Sequence, residues 1–326
     1  MRFRSTALLM ILAICPFFLI TEARSEEIKD SNPANTVFLR MQDWYSSAAA
    51  KWQISFSGSL GGKTGTGESE LTFNHLNSPL VIVSAGAVID SLFSFDYTYG
   101  TGSISGGRGS DADRFFPLGG GGYEFSRSES EITGDVRLWE VNLYADNRRF
   151  VDQRSSSWGM VLGFLHYEDN LIIRNGVQIV PVYAPFSQHL DSTYNFSWDT
   201  FKIGVTHRAP IIARFSYAGM LSFYPYVQYE GEGYWNLRTT GSGAFRSQSP
   251  NFVQKSTSGY GYEAALGFTY AASDNVELSL GYRHLFLSAR DGTDTLYYAD
   301  GTSANSHLDW VNVTRKGVHA EVLIRF

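Results

Sequence analysis

Two aspartates one residue apart, Asp111 and Asp113, sit in the run Gly106-Gly107-Arg108-Gly109-Ser110-Asp111-Ala112-Asp113-Arg114. In an extended segment residues i and i+2 share a face. Two carboxyls held side by side in this way can share a proton or activate a water. The competing reading is a solvated loop, because aspartates beside glycines are at home in turns. Other patterns carry less chemistry. Gly119 to Gly122 is followed by neither Lys-Ser/Thr nor a helix, so it is expected to be a flexible loop and not a phosphate cradle. Asp291, Asp294 and Asp300 could offer calcium ligands, but their spacing misses the EF-hand pattern. No cofactor and no metal site follow from the sequence.

The elements that must position these residues are strands. At the C-terminus Val318, Ala320, Val322, Ile324 and Phe326 alternate with Gly317, His319, Glu321 and Arg325. This is a strand with one apolar and one polar face, and a terminal aromatic closing it is the usual last strand of an outer-membrane barrel. Nine further candidates precede it, near residues 51–61, 68–89, 91–104, 129–145, 156–170, 194–208, 213–235, 258–271 and 275–290. Strand six changes phase after Trp198, which predicts a bulge there. Short links at Asp90-Ser91, Asp146 to Arg149, Ala209-Pro210 and Ala272 to Asn275 alternate with long polar ones at 61–68, 100–128, 171–193, 236–257 and 290–307. That alternation predicts an all-β fold, a ten-stranded antiparallel up-and-down transmembrane β-barrel with five extracellular loops. The inferred lumen face carries Glu140, Arg214, Glu230, Glu232, Glu263, Glu277, Arg283, Arg315, His319, Glu321 and Arg325. Mixed signs in so narrow a barrel predict a plug of ion pairs and argue against a diffusion porin.

The N-terminus suits this address. Arg2 and Arg4 precede an apolar core, Leu8 to Ile20, and Ala23-Arg24-Ser25 offers small residues to a signal peptidase. Residues 1–25 are therefore expected to be a signal peptide that holds the single cysteine, Cys15. Without them the net charge moves from −6 to −8, which argues against a nucleic-acid partner. Residues 26–50 show no strand pattern and are expected to form a periplasmic N-terminal segment, with a short helix presenting Val37, Met41, Trp44 and Ala48. The barrel is expected to occupy 51–326.

Several of these motifs together resemble the omptins, the ten-stranded outer-membrane proteases of Gram-negative bacteria. Gly58-Ser59-Leu60-Gly61-Gly62-Lys63-Thr64 resembles their first-strand motif, and Gly106 to Asp113 resembles their Gly-x-x-Gly-Gly run leading into Asp-x-Asp. Gly163-Phe164-Leu165-His166-Tyr167-Glu168 and Leu266-Gly267-Phe268-Thr269-Tyr270 resemble strands five and eight, and the likeness runs from about 51 to 326. It implies an aspartic-type endopeptidase in which Asp111 and Asp113 face an Asp–His pair that activates water. The stretch Tyr229 to Arg238 should carry that second pair but contains no Asp-x-His, and no histidine occurs between His207 and His284. Glu230 or Glu232, inward by parity, would be the substitute base if burial raised its pKa; His189 and His307 are the others. The resemblance also implies lipopolysaccharide binding at an outward aromatic–acid–basic triplet, read here as Phe164, His166 and Glu168 without the basic member.

The expected function is that of a surface barrel embedded among outer-membrane lipids. It would act through its extracellular loops in structure, adhesion or the binding of a ligand, a peptide or protein among the candidates. The rival expectation is an omptin-like endopeptidase that uses Asp111 and Asp113 with an atypical base.

Overall fold

The structure is a computed structural model and describes residues 36–89, 93–145, 156–186, 188–241 and 243–326. The signal peptide expected at 1–25 and the turns expected at Asp90-Ser91 and Asp146 to Arg149 lie outside the described residues.

Among the described residues twelve strands form one sheet: β1 (Val37–Leu60), β2 (Lys63–Val88), β3 (Phe93–Pro117), β4 (Tyr123–Ala145), β5 (Ser157–Val180), β6 (Ala184–Pro185), β7 (Asp191–Ile212), β8 (Phe215–Tyr234), β9 (Phe252–Ser256), β10 (Ser258–Ala271), β11 (Val276–Tyr297) and β12 (Ser303–Arg325). They make ten staves. β9 and β10 are one stave broken at Thr257, since both lie between β8 and β11, and β6 is a two-residue flap on β5. β1 pairs with both β2 and β12, and every stave pairing is antiparallel, so the sheet closes into an up-and-down barrel. The closing ladder runs from Phe38↔Arg325 to Ser55↔His307 and removes the sheet edge over that length; above it Phe56–Leu60 pair with β2 alone and Ser303–Ser306 with β11 alone.

The staves are longer than the sequence pattern implies. β1 to β5 run 23 to 26 residues, whereas a bilayer crossing needs about 9–11. The stretches read as long loops at 61–68, 100–128 and 171–193 are largely strand. Gly61 and Gly62, both with positive φ, turn β1 straight into β2.

Which face the apolar residues occupy changes along each stave. Near the termini they point outward: Val81 and Val83 on β2, Phe95 and Tyr97 on β3, Ile203 and Val205 on β7 are exposed. This is the lipid belt. Further up the same staves they point inward, as Leu71, Phe73, Tyr194, Phe196 and Trp198 do, and they fill the barrel with a buried core. β7 itself keeps strict alternation, with its even-numbered residues inward from Ser192 to Arg208. The bulge expected after Trp198 lies instead on its partner β8, where Phe201 faces Tyr226 but Ile203 faces Phe223, which leaves an extra residue at Pro225. Pro has no amide proton for the ladder, so a bulge is where it fits.

Two other expectations are corrected. Residues 37–50 are the first half of β1, with Phe38, Trp44, Ala48 and Ala50 buried inward and Val37, Met41 and Tyr45 outward. Ser46 to Ala50 are all small, so neither face shows in their hydropathy. Arg214 is not luminal; it is exposed and donates to the Ala272 carbonyl.

Inside the lipid belt the lumen is closed by charge. Lys202 lies 2.7 Å from Glu140 and 3.6 Å from Glu263, and Arg283 bridges the same two carboxylates. Arg208 grips Glu277 through both terminal nitrogens, and Arg325 shares that carboxylate. Arg315, fully buried, donates to Asp169 (3.0 Å), Tyr167 Oη (2.8 Å) and Ser46 Oγ (2.9 Å). Each charge is paired, as burial demands. A void of about 130 Å³ remains among these groups.

Candidate cleft at the extracellular end

Above the buried core the staves enclose a cleft of about 1400 Å³. Asp111 and Asp113 stand on one wall. They lie within β3 and not in a loop, twelve residues beyond Tyr99 of the lipid belt, which is roughly 40 Å along the strand. The glycines before them permit close packing. A Cβ on Gly109 would meet Ser130 Oγ at 2.5 Å, and one on Gly107 would meet Leu76 Cδ2 at 2.7 Å.

Ser69 Oγ on the adjoining β2 donates to Asp111 Oδ1 at 3.4 Å. Arg238 Nη2 reaches to within 3.9 Å of Asp113 Oδ2. Arg238 ends a single 3-10 turn, Asn236–Arg238, that follows β8. The Asn236 side chain fixes this turn: its Oδ1 accepts from the Asp191 amide and Ser192 Oγ, and its Nδ2 donates to the His189 carbonyl. Asp111 is partly exposed as a residue, yet burial of its carboxyl, followed by the charge of Asp113, pushes it up to about 7; Arg238 and Ser69 oppose the rise. This carboxyl therefore takes up a proton far more readily than a free aspartate, beside an acid paired with arginine.

The substitute bases do not join the pair. The bulge at Pro225 reverses the parity of upper β8, so Glu230 and Glu232 face outward, and Glu230 binds Lys255 at 2.6 Å on the outer wall. His189 is exposed in the β5–β7 connection, where its backbone serves Asn236. Among the described residues that line the cleft His307 is the one histidine; it sits on β12 with Asp309 at 3.6 Å and Asp291 at 3.8 Å. Asp300 is exposed at the turn before β12 and holds Thr302. His166 packs on the outer wall against Trp139 (5.6 Å between ring centres) and binds Asp199 at 2.7 Å, and Phe164 also stacks on Trp139 at 5.1 Å.

Two parts of the cleft escape motif reading. At its floor the hydroxyls of Tyr194 and Tyr229 touch each other and both donate to Gln254 Oε1, at 2.6 and 3.1 Å. That fixes the Gln254 amide with its nitrogen turned away from the tyrosines. Asp294 lies opposite Gln254 across the β9–β11 ladder, is 1% exposed, and has one carboxyl oxygen without a hydrogen-bond partner among the described residues. Burial raises it to about 6. On the wall, Trp235 stacks on Phe252 (5.1 Å, 15°), which stacks on Tyr194 (5.5 Å, 26°). The Asn251 side chain pins the Trp235 backbone by accepting its N–H and donating to its carbonyl. Strand parity is the signal for Asp294; the Trp235 stack depends on a turn whose geometry the sequence does not announce.

A closed barrel with a lipid belt, a charged lumen and an upper cleft defines an outer-membrane β-barrel protein. A family model described as Pom, Protochlamydia outer membrane protein, matches residues 40–319, and the chain belongs to that family. Among solved structures it is similar to the outer membrane protease OmpT from Escherichia coli, at 15% identity with a TM-score of 0.69, over 93% of this chain and 100% of that one. It is also similar to the translocator domain of autotransporter NalP from Neisseria meningitidis (10% identity, TM-score 0.35, 98% of this chain and 94% of that). A third is the outer membrane protein OprG from Pseudomonas aeruginosa (9% identity, TM-score 0.30, 91% and 98%). At TM-scores this low the last two add nothing to the fold assignment, and the OmpT likeness speaks for the fold alone. No curated protein matches the chain by sequence.

Proposed function

We propose that this protein is a sealed surface receptor that binds a ligand in its extracellular cleft without hydrolysing it. The observation that carries the reading is the pairing at Asp113: its cation is Arg238, from the strand top where the resemblance places a water-activating pair. A guanidinium stays protonated and takes no proton from water. Asp111, raised by burial and the Asp113 charge, and Ser69 then form a hydrogen-bonding patch. Residues 1–25 act as the cleaved leader, and the outward belt is bathed by outer-membrane lipids, lipopolysaccharide among them.

Endopeptidase activity is the second reading, favoured by the same carboxyl near 7. Two adjacent acids that share one proton are the working arrangement of aspartic proteases. The test is to refold the barrel with lipopolysaccharide and incubate it with a panel of dibasic peptides, alongside Asp111→Ala and Asp113→Ala. No cleavage by folded protein is the expected result; cleavage lost in both variants overturns the receptor reading. In planar bilayers the sealed lumen is expected to show no large steady conductance steps, and their appearance would replace this reading with a channel.

A further inference from the structure

Resting on the receptor reading, we infer that the cleft takes an uncharged oligosaccharide. Three features of its lining converge on that class. The first is charge. Asp113 has Arg238, Asp111 and Ser69 share a hydrogen bond, and His307 sits between Asp291 and Asp309. Among the described residues that line the cleft Arg238 is the one guanidinium and it faces Asp113, so a polyanion finds no free cation, while burial raises Asp111 and Asp294 toward the neutral form, which suits an uncharged hydrogen-bonding ligand better than a polycation.

The second feature is a preformed aromatic plate. Trp235 lines the cleft with one ring face backed by Phe252 and its backbone held on both sides by Asn251. A rigid plate costs no ordering when a ligand arrives, and the C–H face of a pyranose is the flat, weakly apolar surface that stacks on an indole.

The third feature is a comb of hydroxyls on the walls of the same cleft. Ser126, Ser128 and Ser130 all line the cleft from alternate positions of β4, as do Ser55 and Ser57 on β1. A purely apolar ligand would strip water from these groups and return nothing; a sugar restores each bond with its own hydroxyls. At the floor Asp294 lies beside the Gln254 amide, an acceptor and a donor that a sugar hydroxyl can serve together. An extended peptide has less to hold. Strand addition needs a free sheet edge; β2, β3, β4 and β8 are paired on both sides at the cleft, and the rungs with one partner strand are confined to Phe56–Leu60 of β1 and Ser303–Ser306 of β12. The volume exceeds the roughly 300–1,000 Å³ of a drug-sized site, so several rings fit at once.

The test is isothermal titration calorimetry on the refolded full chain with maltohexaose, chitohexaose, a sialylated hexasaccharide, a Gly-Ser hexapeptide and hexalysine. Saturable binding of a neutral hexasaccharide is expected, stronger than that of its disaccharide. It should weaken at least tenfold in Trp235→Ala and less than threefold in Trp235→Phe. Ser128→Val, which leaves the plate intact, is expected to weaken it several-fold, and it stands in if Trp235→Ala fails the folding check by gel mobility. The inference is overturned if no neutral saccharide binds a folded sample. It is equally overturned if hexalysine or the sialylated sugar binds as tightly, or if only the Gly-Ser peptide binds. Failure of the receptor reading shows separately, as Asp111-dependent cleavage of the dibasic panel.

Discussion

Replacing Asp111 with asparagine removes a titrating group and keeps its shape. Burial and then the Asp113 charge raise this carboxyl from 3.8 to about 7. Between those values the folded protein holds a proton that the unfolded chain has released. An acid raised in this way adds stability below its unfolded pKa, and that stability is lost as pH climbs from about 4 through about 7. Carried through the linkage relation, the loss between pH 5 and pH 8 is at most about 3 kcal/mol. The cleft is open to water, so screening reduces the expected figure to about 1–2 kcal/mol. Asp111→Asn lacks this slope. Urea midpoints of the refolded barrel, followed by tryptophan fluorescence at pH 5, 6, 7 and 8, give the comparison. The stability difference should move in favour of the variant by about that amount from pH 5 to pH 8. Asp294, raised to about 6, titrates in both proteins and cancels. Parallel profiles would refute the reasoning by showing Asp111 to be an ordinary solvated carboxylate, and a difference of opposite sign would mean that Arg238 governs it.

Two further perturbations test the frame beneath the cleft. Arg315→Met strands Asp169 in a fully buried position and is expected to cost about 3–5 kcal/mol in denaturant unfolding; adding Asp169→Asn should recover much of it, and a double variant as weak as the single one would rule out the charge argument. Deleting Pro225 removes the β8 bulge and leaves Val227 and Tyr229 inward, so the barrel should keep its folded gel mobility. Deleting Gln228 turns Tyr229 outward and Glu230 inward, and that protein should fail to fold; equal behaviour of the two deletions would contradict the register.

The barrel was legible from strand alternation and from the alternation of tight and long connections, because both survive errors of a few residues. The C-terminal strand shows it best: Val318 and Phe326 do face outward, and Arg315 and Arg325 are buried inside. Residues 37–50 were not legible as a strand, since a run of serine and alanine has no contrast between faces, and the spacing of Val37, Met41, Trp44 and Ala48 imitates a helix. Glu230 and Glu232 were assigned to the wrong face because parity is counted from a reference residue, and one extra residue at Pro225 resets the count. The phase change read at Trp198 has another origin: apolar side chains serve lipid below that residue and core above it. Asp111 and Asp113 were found by spacing alone. Asp294 reads in the sequence only as one of three loop aspartates with Asp291 and Asp300, because Gln254 lies 40 residues earlier and meets it only through the β9–β11 ladder.

The excess length of the staves sets where recognition can happen. A stave of 24 residues tilted by about 40° rises roughly 60 Å, of which the apolar band takes about 25 Å. The rest forms a turret that lifts the mouth of the cleft tens of ångströms clear of the lipid headgroups. On the receptor reading proposed above, a partner anchored on another cell or matrix would be reached while the two surfaces stay apart. Trimming matched pairs of rungs between belt and cleft would lower the turret without touching either, and contact with a tethered partner should fall with height while affinity for the same partner in solution holds.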